Sequence, residues 1–397
     1  MSVNTDPKKI EELLSRGVQN IYPTREFLEE RLKSGEQLTL YTGYDPTGPT
    51  LHIGHGITML KLRQFQDLGH KVIMLIGDFT GMIGDPTDKS SARQKLTREQ
   101  VLENSKEYVK QASAILSFEG ENPVQVKYNS EWLGKMNFGD VLELASHFTV
   151  QRMMERDMFE KRLEEEKPIY VHEFMYPMMQ GYDSFAMDVD GEVGGNDQTF
   201  NMLAGRTLMK SLKNKEKFVL TERLLADDSG KKMGKTEGNM IALADSAEDM
   251  FGKVMSWTDG MIFSGFELCT TVPMDDIETM KKEMEDGANP RDFKLRLGYE
   301  ITKTFLGEES AEKGKEHFIN VIQSKDKPED IREFSPSDMN IVTVLVEAGF
   351  AKTNSDARRA IEQGGVKLND EKVSSHDTEL KSGDILQKGK RFFVKIK

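Results

Sequence analysis

The spacing of apolar positions changes from strand-like to helix-like and back within residues 38–76. The run from Leu38 to Tyr44 is apolar and β-branched, which is typical of a buried strand. A turn rich in proline and glycine follows, and apolar residues then return at helical spacing from Leu51 to Phe65. A second strand-like run covers 72–76. The pattern predicts a strand–turn–helix–strand unit, the building block of a parallel α/β sheet.

The rest of the pattern predicts mostly helices. Helical spacing extends over residues 8–34, 97–116, 152–167 and 202–212, and over most of 240–330. A polar, proline-bearing stretch at 324–338 is typical of a linker. Beyond it the pattern predicts two helices, at 341–348 and 353–361, which are ended by a Gly-Gly pair and followed by short strands.

Chain length, cysteine content and charge limit the classes to which the protein can belong. The chain has 397 residues, which is enough for two or three domains, and its longest apolar runs have the length of strands. A single cysteine, Cys269, permits no internal disulfide and no cysteine-based metal site. The net charge is −13, yet residues 335–397 carry 11 Lys and Arg against 9 Asp and Glu. Local basic patches for RNA therefore remain compatible with an acidic chain.

The predicted helix after the first strand begins with His52-Ile53-Gly54-His55. Two histidines three residues apart share one helix face, beside backbone N–H groups that no carbonyl satisfies. Such a helix end attracts phosphate, and Gly54 would let a flat ligand approach the backbone. Three other interpretations stay open here, namely surface polar residues, zinc ligands and a chance occurrence of the four residues, although no Cys/His cluster accompanies the pair.

A second candidate for phosphate binding is the Gly-punctuated basic segment 230–239, which reads Gly-Lys-Lys-Met-Gly-Lys-Thr-Glu-Gly-Asn. Lys232 and Lys235 bracket a turn from which ammonium groups can meet phosphates. A solvated lysine-rich loop is the alternative. The two motifs together resemble the signature of class I aminoacyl-tRNA synthetases, and the motifs between them resemble the bacterial-type tyrosyl branch. The resemblance extends over nearly the whole chain.

Polar groups also fall on one face of a predicted helix within 171–183. Tyr176, Gln180 and Asp183 are spaced four and three residues apart, among methionines that mark the face as buried. Buried polar groups need partners, so the face is either an internal network or a pocket for a polar ligand. The Gly194-Gly195-Asn196-Asp197-Gln198 stretch offers acceptors where the backbone can approach a ligand.

The resemblance implies an α/β fold with three domains. A Rossmann-like parallel-sheet catalytic domain would span 1–238, a helical anticodon-recognition domain 239–330, and an S-four-like RNA-binding domain 335–397. The implied reaction activates L-tyrosine with ATP, giving tyrosyl-adenylate and pyrophosphate, and then transfers tyrosine to the 3′ end of tRNA(Tyr). Alternatives are the tryptophanyl branch, a small nucleotidyltransferase, and an RNA-binding protein descended from a synthetase.

The resemblance also implies site residues. Those for adenylation and phosphate contact are Thr47, His52, His55, Lys89, Arg93, Lys232, Lys235 and Thr236. Those for tyrosine are Tyr41, Asp45, Asp85, Tyr176, Gln180, Asp183 and Gln198, with Tyr41 and Asp183 on the phenol. The residues that the resemblance implies for ATP binding are Thr42, Gly43, Gly54, Thr58, Asp197 and, again, Lys235. Those for RNA are Arg358, Arg359 and Lys367.

The implied partners are tRNA(Tyr), tyrosine and ATP, with Mg²⁺ bound to the ATP phosphates and no metal site formed by the protein. A methionine-rich apolar stripe at 153–163 corresponds to the region near the subunit contact in the tyrosyl family, which favours a homodimer. The sequence shows neither a signal peptide nor a membrane span, so we expect a cytoplasmic protein without a membrane partner.

Overall fold

The computed structural model describes residues 3–85, 96–227, 230, 240–325, 331–369, 371–389 and 392–397. The chain divides into two compact units, 1–315 and 316–397. The predicted domain boundaries at 238 and 330 stay a prediction. Among the described residues, no helix is both long enough and apolar enough to span a membrane.

The first unit is built on a six-stranded sheet with the order β1-β6-β5-β2-β3-β4. Its strands are β1 (Val18–Tyr22), β2 (Thr39–Tyr44), β3 (Lys71–Ile76), β4 (Gln125–Tyr128), β5 (Gly191–Gly195) and β6 (Phe218–Glu222). Strands β2 to β6 are parallel, and β1 is antiparallel to β6. The predicted Rossmann-like parallel sheet is confirmed, with one antiparallel strand at its edge.

Helices cover the sheet and continue beyond it. They are α1 (Pro7–Ser15), α2 (Arg25–Lys33), α3 (Ile53–Asp67), α4 (Thr80–Ile83), α5 (Arg98–Ser105), α6 (Tyr108–Ala112), α7 (Ser130–Leu133), α8 (Phe138–Ser146), α9 (Val150–Met154), α10 (Asp157–Glu164), α11 (Val171–Met187), α12 (Thr199–Lys213), α13 (Ala247–Met255), α14 (Met261–Cys269), α15 (Met274–Glu285), α16 (Pro290–Leu306) and α17 (Glu308–Lys325). A short 3-10 turn covers Asn196–Gln198. Helix α17 contains the boundary between the units.

One hydrophobic core joins the sheet to the later helices. Leu40 of β2, Phe65 of α3 and Phe218 of β6 belong to the same buried cluster as Phe266 of α14 and Phe305 of α16. Phe65 stacks on Phe218, with ring centroids 5.9 Å apart. Helix α3 is therefore fixed from both sides, which also fixes the position of the histidines at its start.

The prediction of a continuous helix over 8–34 is wrong in its middle. Helix α1 ends at Ser15, and Gly17 adopts a φ of +68°, a left-handed conformation that suits glycine. The chain then forms β1 at the edge of the sheet. Its inner positions are only partly buried, so the strand has little of the alternation that would identify it.

The second unit has its own buried core. Beyond the end of α17, its elements are β7 (Glu333–Phe334), α18 (Ile341–Glu347), α19 (Asn354–Glu362), β8 (Val366–Leu368), β9 (Glu371–Lys372), β10 (Ile385–Lys388) and β11 (Phe392–Ile396). Thr353 caps α19, and Gly364, with a φ of +68°, follows its end. The predicted order of helix, helix, Gly-Gly and strands is confirmed here.

Candidate active site

A cavity of about 740 Å³ opens at the carboxyl ends of the parallel strands. Strands β3 and β4 follow β2 toward one edge of the sheet, whereas β5 and β6 lie on its other side, so the order reverses between β2 and β5. In open α/β sheets this reversal is where ligands bind. The cavity wall includes every predicted small-molecule site residue that the structure describes, namely Tyr41, Thr42, Gly43, Asp45, Thr47, His52, Gly54, His55, Thr58, Asp85, Tyr176, Gln180, Asp183, Asp197 and Gln198.

The histidine pair forms the start of α3. His52 is the N-cap, and its backbone N–H donates to His55 Nδ1 at 3.1 Å. The two rings stack with centroids 3.8 Å apart. Burial and the neighbouring His52 hold the pKa of His55 well below its ordinary value. His55 is therefore neutral at pH 7 and, since Nδ1 accepts, carries its proton on Nε2 as a donor.

The packing of the His52 ring explains why a glycine stands at position 54. A Cβ at this position would lie 3.0 Å from His52 Cε1 and 3.1 Å from its Nδ1. The space that a side chain would fill is therefore used by the His52 ring. The approach of a flat ligand to Gly54 stays a prediction.

The chain that follows the lysine-rich loop is joined to the same helix start. His52 forms an antiparallel bridge with Ala242, Ile53 N–H donates to Ile241 O at 2.9 Å, and Leu243 N–H donates to Leu51 O at 2.9 Å. The predicted loop residues Lys232, Lys235 and Thr236 lie outside the described residues, as do Lys89 and Arg93. The pairing places Ile241 and Ala242, which follow that segment in the sequence, next to the start of α3.

Asp45, which directly follows β2, accepts hydrogen bonds from two hydroxyl groups. Thr80 Oγ1 donates to Oδ1 and Tyr176 OH donates to Oδ2, both at 2.7 Å. Gly77 makes the first contact possible, because a Cβ there would lie 2.0 Å from Asp45 Oδ1. Burial, followed by the charges of Asp45 and Asp85, raises the pKa of Tyr176 well above its ordinary value. Tyr176 is therefore a permanent donor to Asp45.

Asp85 is the centre of a second polar group. Arg156 Nη2 and Gln198 Nε2 donate to its two oxygens at 2.8 Å each, and Asn201 Nδ2 lies 3.5 Å from Oδ2. The Arg156 side chain is buried, so this ion pair is shielded from water. Burial and the charge of Asp85 raise the pKa of Asp197 to about 6. The wall thus concentrates negative charge, which suits an ammonium group.

Asp183 is a buried carboxylate in the cavity wall. It is 2% exposed, Trp132 Nε1 donates to its Oδ1 at 2.7 Å, and Asn129 Nδ2 donates to its Oδ2 at 3.3 Å. Burial raises its pKa well above the ordinary value of an aspartate, whereas the hydrogen bonds from Trp132 and Asn129 act in the opposite direction and favour the ionised carboxylate. Sequence analysis did not identify Trp132 or Asn129.

Tyr41 and Asp183 both line the cavity, but each has its own partners. Tyr41 OH lies 2.9 Å from Ser184 Oγ and 3.3 Å from the Gln180 carbonyl. Its pKa is raised well above the ordinary value by burial and by the charges of Glu192 and Asp183. The predicted joint contact of the two side chains with one phenol stays a prediction.

A buried ion pair lies behind Tyr41. Lys217 is fully buried, pairs with Glu192, and donates to Ser184 Oγ at 2.8 Å. Glu192 in turn accepts from Gln180 Nε2 at 2.8 Å. Neither charged residue was predicted. The only signal in the sequence is a charged residue at or beside a short strand, which usually indicates solvent exposure.

The hydroxyl groups of Thr42 and Thr58 are already used within the fold. Thr42 Oγ1 donates to Val193 O at 2.7 Å, and Thr58 Oγ1 donates to His55 O at 2.8 Å. Tyr44 OH lies 3.2 Å from Thr58 Oγ1. Each threonine hydroxyl can therefore accept a hydrogen bond from a ligand, but it cannot donate one, because its proton is already donated to a backbone carbonyl.

One cavity thus contains the start of α3, a kind of helix end that attracts phosphate, and an acidic polar pocket. Comparison with known proteins identifies the family of the chain. The family described as tRNA synthetases class I (W and Y) matches residues 33–323. The chain belongs to this family. The S4 domain family matches residues 339–386 of this synthetase. The tyrosine–tRNA ligase of Haemophilus influenzae is 43% identical over 396 residues, which cover 99% of this chain and 98% of the relative.

Other relatives and solved structures agree. The tyrosine–tRNA ligase of Thermotoga maritima is 42% identical, over 98% of each chain. A C-terminally truncated mitochondrial tyrosyl-tRNA synthetase of Aspergillus nidulans superimposes with a TM-score of 0.67 at 21% identity, covering 79% of this synthetase and 94% of that chain. The Archaeoglobus fulgidus tyrosyl-tRNA synthetase complexed with L-tyrosine gives 0.61 at 22% identity, covering 78% and 99%. These two structures support the fold.

Proposed function

We propose that this synthetase is a tyrosine–tRNA ligase. In the first step the carboxylate of tyrosine attacks the α-phosphorus of ATP, and the bond to the bridging oxygen breaks to release pyrophosphate. In the second step a ribose hydroxyl of the terminal adenosine of tRNA attacks the activated carbonyl carbon, and AMP leaves. The observation that carries the proposal is the buried Asp183, which lines the same cavity as His52 at the start of α3. The full-length relatives at 43% identity support it.

The acidic part of the wall fits the amino acid. We assign the ammonium group of tyrosine to Asp85, Tyr176 and Gln180, with Gln198 on the carboxylate side. Asp45 holds Tyr176 in place through its 2.7 Å hydrogen bond. Asp183 and Tyr41 take the phenol hydroxyl, since a buried carboxylate accepts a proton donor strongly.

The start of α3 fits the triphosphate. Thr47, His52 and His55, at the positive end of the α3 dipole, would stabilise charge on the phosphate oxygens as pyrophosphate forms. Lys89, Arg93, Lys232, Lys235 and Thr236 are proposed to join them from segments outside the described residues. Thr42, Gly43, Gly54, Thr58 and Asp197 are assigned to the ribose and base. We place Mg²⁺ on the ATP phosphates, where it would neutralise their charge.

Tyrosine-dependent exchange between ATP and pyrophosphate tests the proposal directly. We expect exchange with tyrosine to exceed by far the exchange with phenylalanine or tryptophan, without tRNA, and we expect EDTA to abolish it. Addition of tRNA(Tyr) and tyrosine should then give charged tRNA. Exchange with tryptophan would keep the adenylation chemistry and contradict the phenol assignment. If the folded protein catalyses no exchange, the proposed enzymatic activity is wrong and an RNA-binding role remains.

We propose that the protein acts as a homodimer in the cytoplasm. Large apolar side chains are exposed on the segment from α8 to the start of α11, namely Phe138, Leu142, Val150, Leu163 and Val171. Apolar surface of this kind is typical of a subunit contact. Sedimentation equilibrium should give twice the chain mass, and the double substitution Val150→Glu with Leu163→Glu should give a monomer. A monomeric wild type would contradict the dimer.

We propose that the second unit binds tRNA through Arg358, Arg359 and Lys367. The two arginines are exposed on α19 and Lys367 is partly exposed on β8. Replacing all three with alanine should raise the KM for tRNA about tenfold or more and lower the salt dependence of binding. Exchange without tRNA should not change. An unaltered KM for tRNA would contradict the assignment.

A further inference from the structure

Glu222 is a buried acid in the cavity wall that the reaction described above does not use. It is the last residue of β6, it is 3% exposed, and it lines the cavity. In the sheet it pairs with Gly195, the last residue of β5, at the same carboxyl edge where ligands bind. Its Oε2 accepts no hydrogen bond from any residue that the structure describes. A buried acceptor of this kind is costly unless something donates to it.

The nearby charged groups do not supply that donor. Lys61 Nζ donates to the carbonyls of Leu13 and Arg16 at 2.8 Å each, and Arg223 pairs with Glu267. Burial raises the pKa of Glu222 to about 8, and the charge of Lys61 offsets only part of that effect. The carboxyl group therefore keeps an unused acceptor in a largely apolar environment.

The cavity that Glu222 lines also offers apolar surface to a flat aromatic ring. Leu224 and Leu225, which follow Glu222 along the chain, and Ile57 contribute apolar side chains to its wall. The phosphates are assigned to the start of α3, and the ammonium group is assigned to the acidic pocket around Asp85. None of these assignments gives a partner to the exocyclic amino group of the base.

We propose that Glu222 recognises the base of ATP, with a carboxyl oxygen accepting a hydrogen bond from the exocyclic amino group of adenine. The proposal rests on the proposed function, since it takes ATP as the nucleotide. It makes Glu222 a specificity-determining residue. A purine that has hydrogen in place of the amino group cannot donate and would leave the buried oxygen unpaired.

The test compares ATP with purine riboside triphosphate, which lacks that amino group, in tyrosine-dependent pyrophosphate exchange. Wild type should prefer ATP about tenfold in kcat/KM, the effect of one such hydrogen bond. Glu222→Gln keeps an acceptor oxygen and should keep most of the preference. Glu222→Met has a similar size but no acceptor, so its ratio should approach one. The KM for tyrosine should stay at its wild-type value in both variants.

A control variant and a binding measurement complete the test. Glu216→Gln makes the same side-chain exchange just before β6, where Glu216 pairs with Arg206 outside the cavity wall, and it should keep the wild-type ratio. Calorimetric binding of the two triphosphates should give the same ratios without tyrosine. A Met variant with the wild-type preference, or a Gln variant that loses it as fully as Met, would overturn the role of Glu222. Wild type without tyrosine-dependent exchange would overturn the proposed function itself.

Discussion

Replacing Lys217 with methionine should lower the free energy of unfolding by about 3–5 kcal/mol. Lys217 and Glu192 are both almost fully buried and paired, and Lys217 Nζ also donates to Ser184 Oγ at 2.8 Å and Met202 O at 3.2 Å. Removing the ammonium group leaves the Glu192 carboxylate in the interior without its counter-ion. Denaturant unfolding followed by circular dichroism measures the change.

Two further variants separate this effect from a general loss of charge. Lys215→Met removes a partly exposed lysine that pairs with Asp190 at 3.1 Å, and such a surface pair is worth about 0–1 kcal/mol. Adding Glu192→Gln to Lys217→Met removes the uncompensated charge and should recover much of the lost stability. If the Lys217 and Lys215 variants lose equal free energies of unfolding, the buried Lys217–Glu192 pair contributes no more than a surface pair.

The same pair illustrates where sequence analysis stops. The apolar run at β6 predicts a strand, yet nothing in it indicates that the lysine beside it is buried. The partners of Lys217 come from α11, α12 and β5, which are brought together only by the tertiary fold. Asp183 shows the same limit: its position on a buried helix face was predictable, whereas Trp132 and Asn129 were not.

Local chemistry explains what was predictable. The His-x-Gly-His sequence marks the beginning of a helix whose first residues line the cavity, so one motif predicts both α3 and part of the candidate site. Tyr176, Gln180 and Asp183 lie on α11 as their spacing predicts, and all three reach the cavity. Strand β1 was missed because Gly17 ends the helical pattern without any change in apolar spacing. Periodicity therefore predicts regular elements well and edge strands poorly.

Replacing Asp183 with asparagine should reduce kcat/KM for tyrosine about 100-fold or more. The proposed hydrogen bond from the phenol to a carboxylate is charge-assisted, and losing it costs about 1.5–3 kcal/mol. The new amide also places a donor against either Trp132 Nε1 or Asn129 Nδ2, which now donate to the two oxygens at 2.7 and 3.3 Å. One buried donor then loses its acceptor, at a further cost of about 1–3 kcal/mol.

Pyrophosphate exchange with tyrosine and with phenylalanine gives the decisive comparison. The loss should fall on tyrosine, because phenylalanine never makes the hydrogen bond, so the preference for tyrosine should shrink with it while the KM for ATP stays unchanged. Asp188→Asn is the matched control, since Asp188 caps the same helix α11 but is exposed to solvent. It should retain wild-type kinetics. If the asparagine variant at 183 keeps the wild-type ratio of tyrosine to phenylalanine, the phenol of the substrate is not held by this carboxylate, and another part of the cavity must select tyrosine.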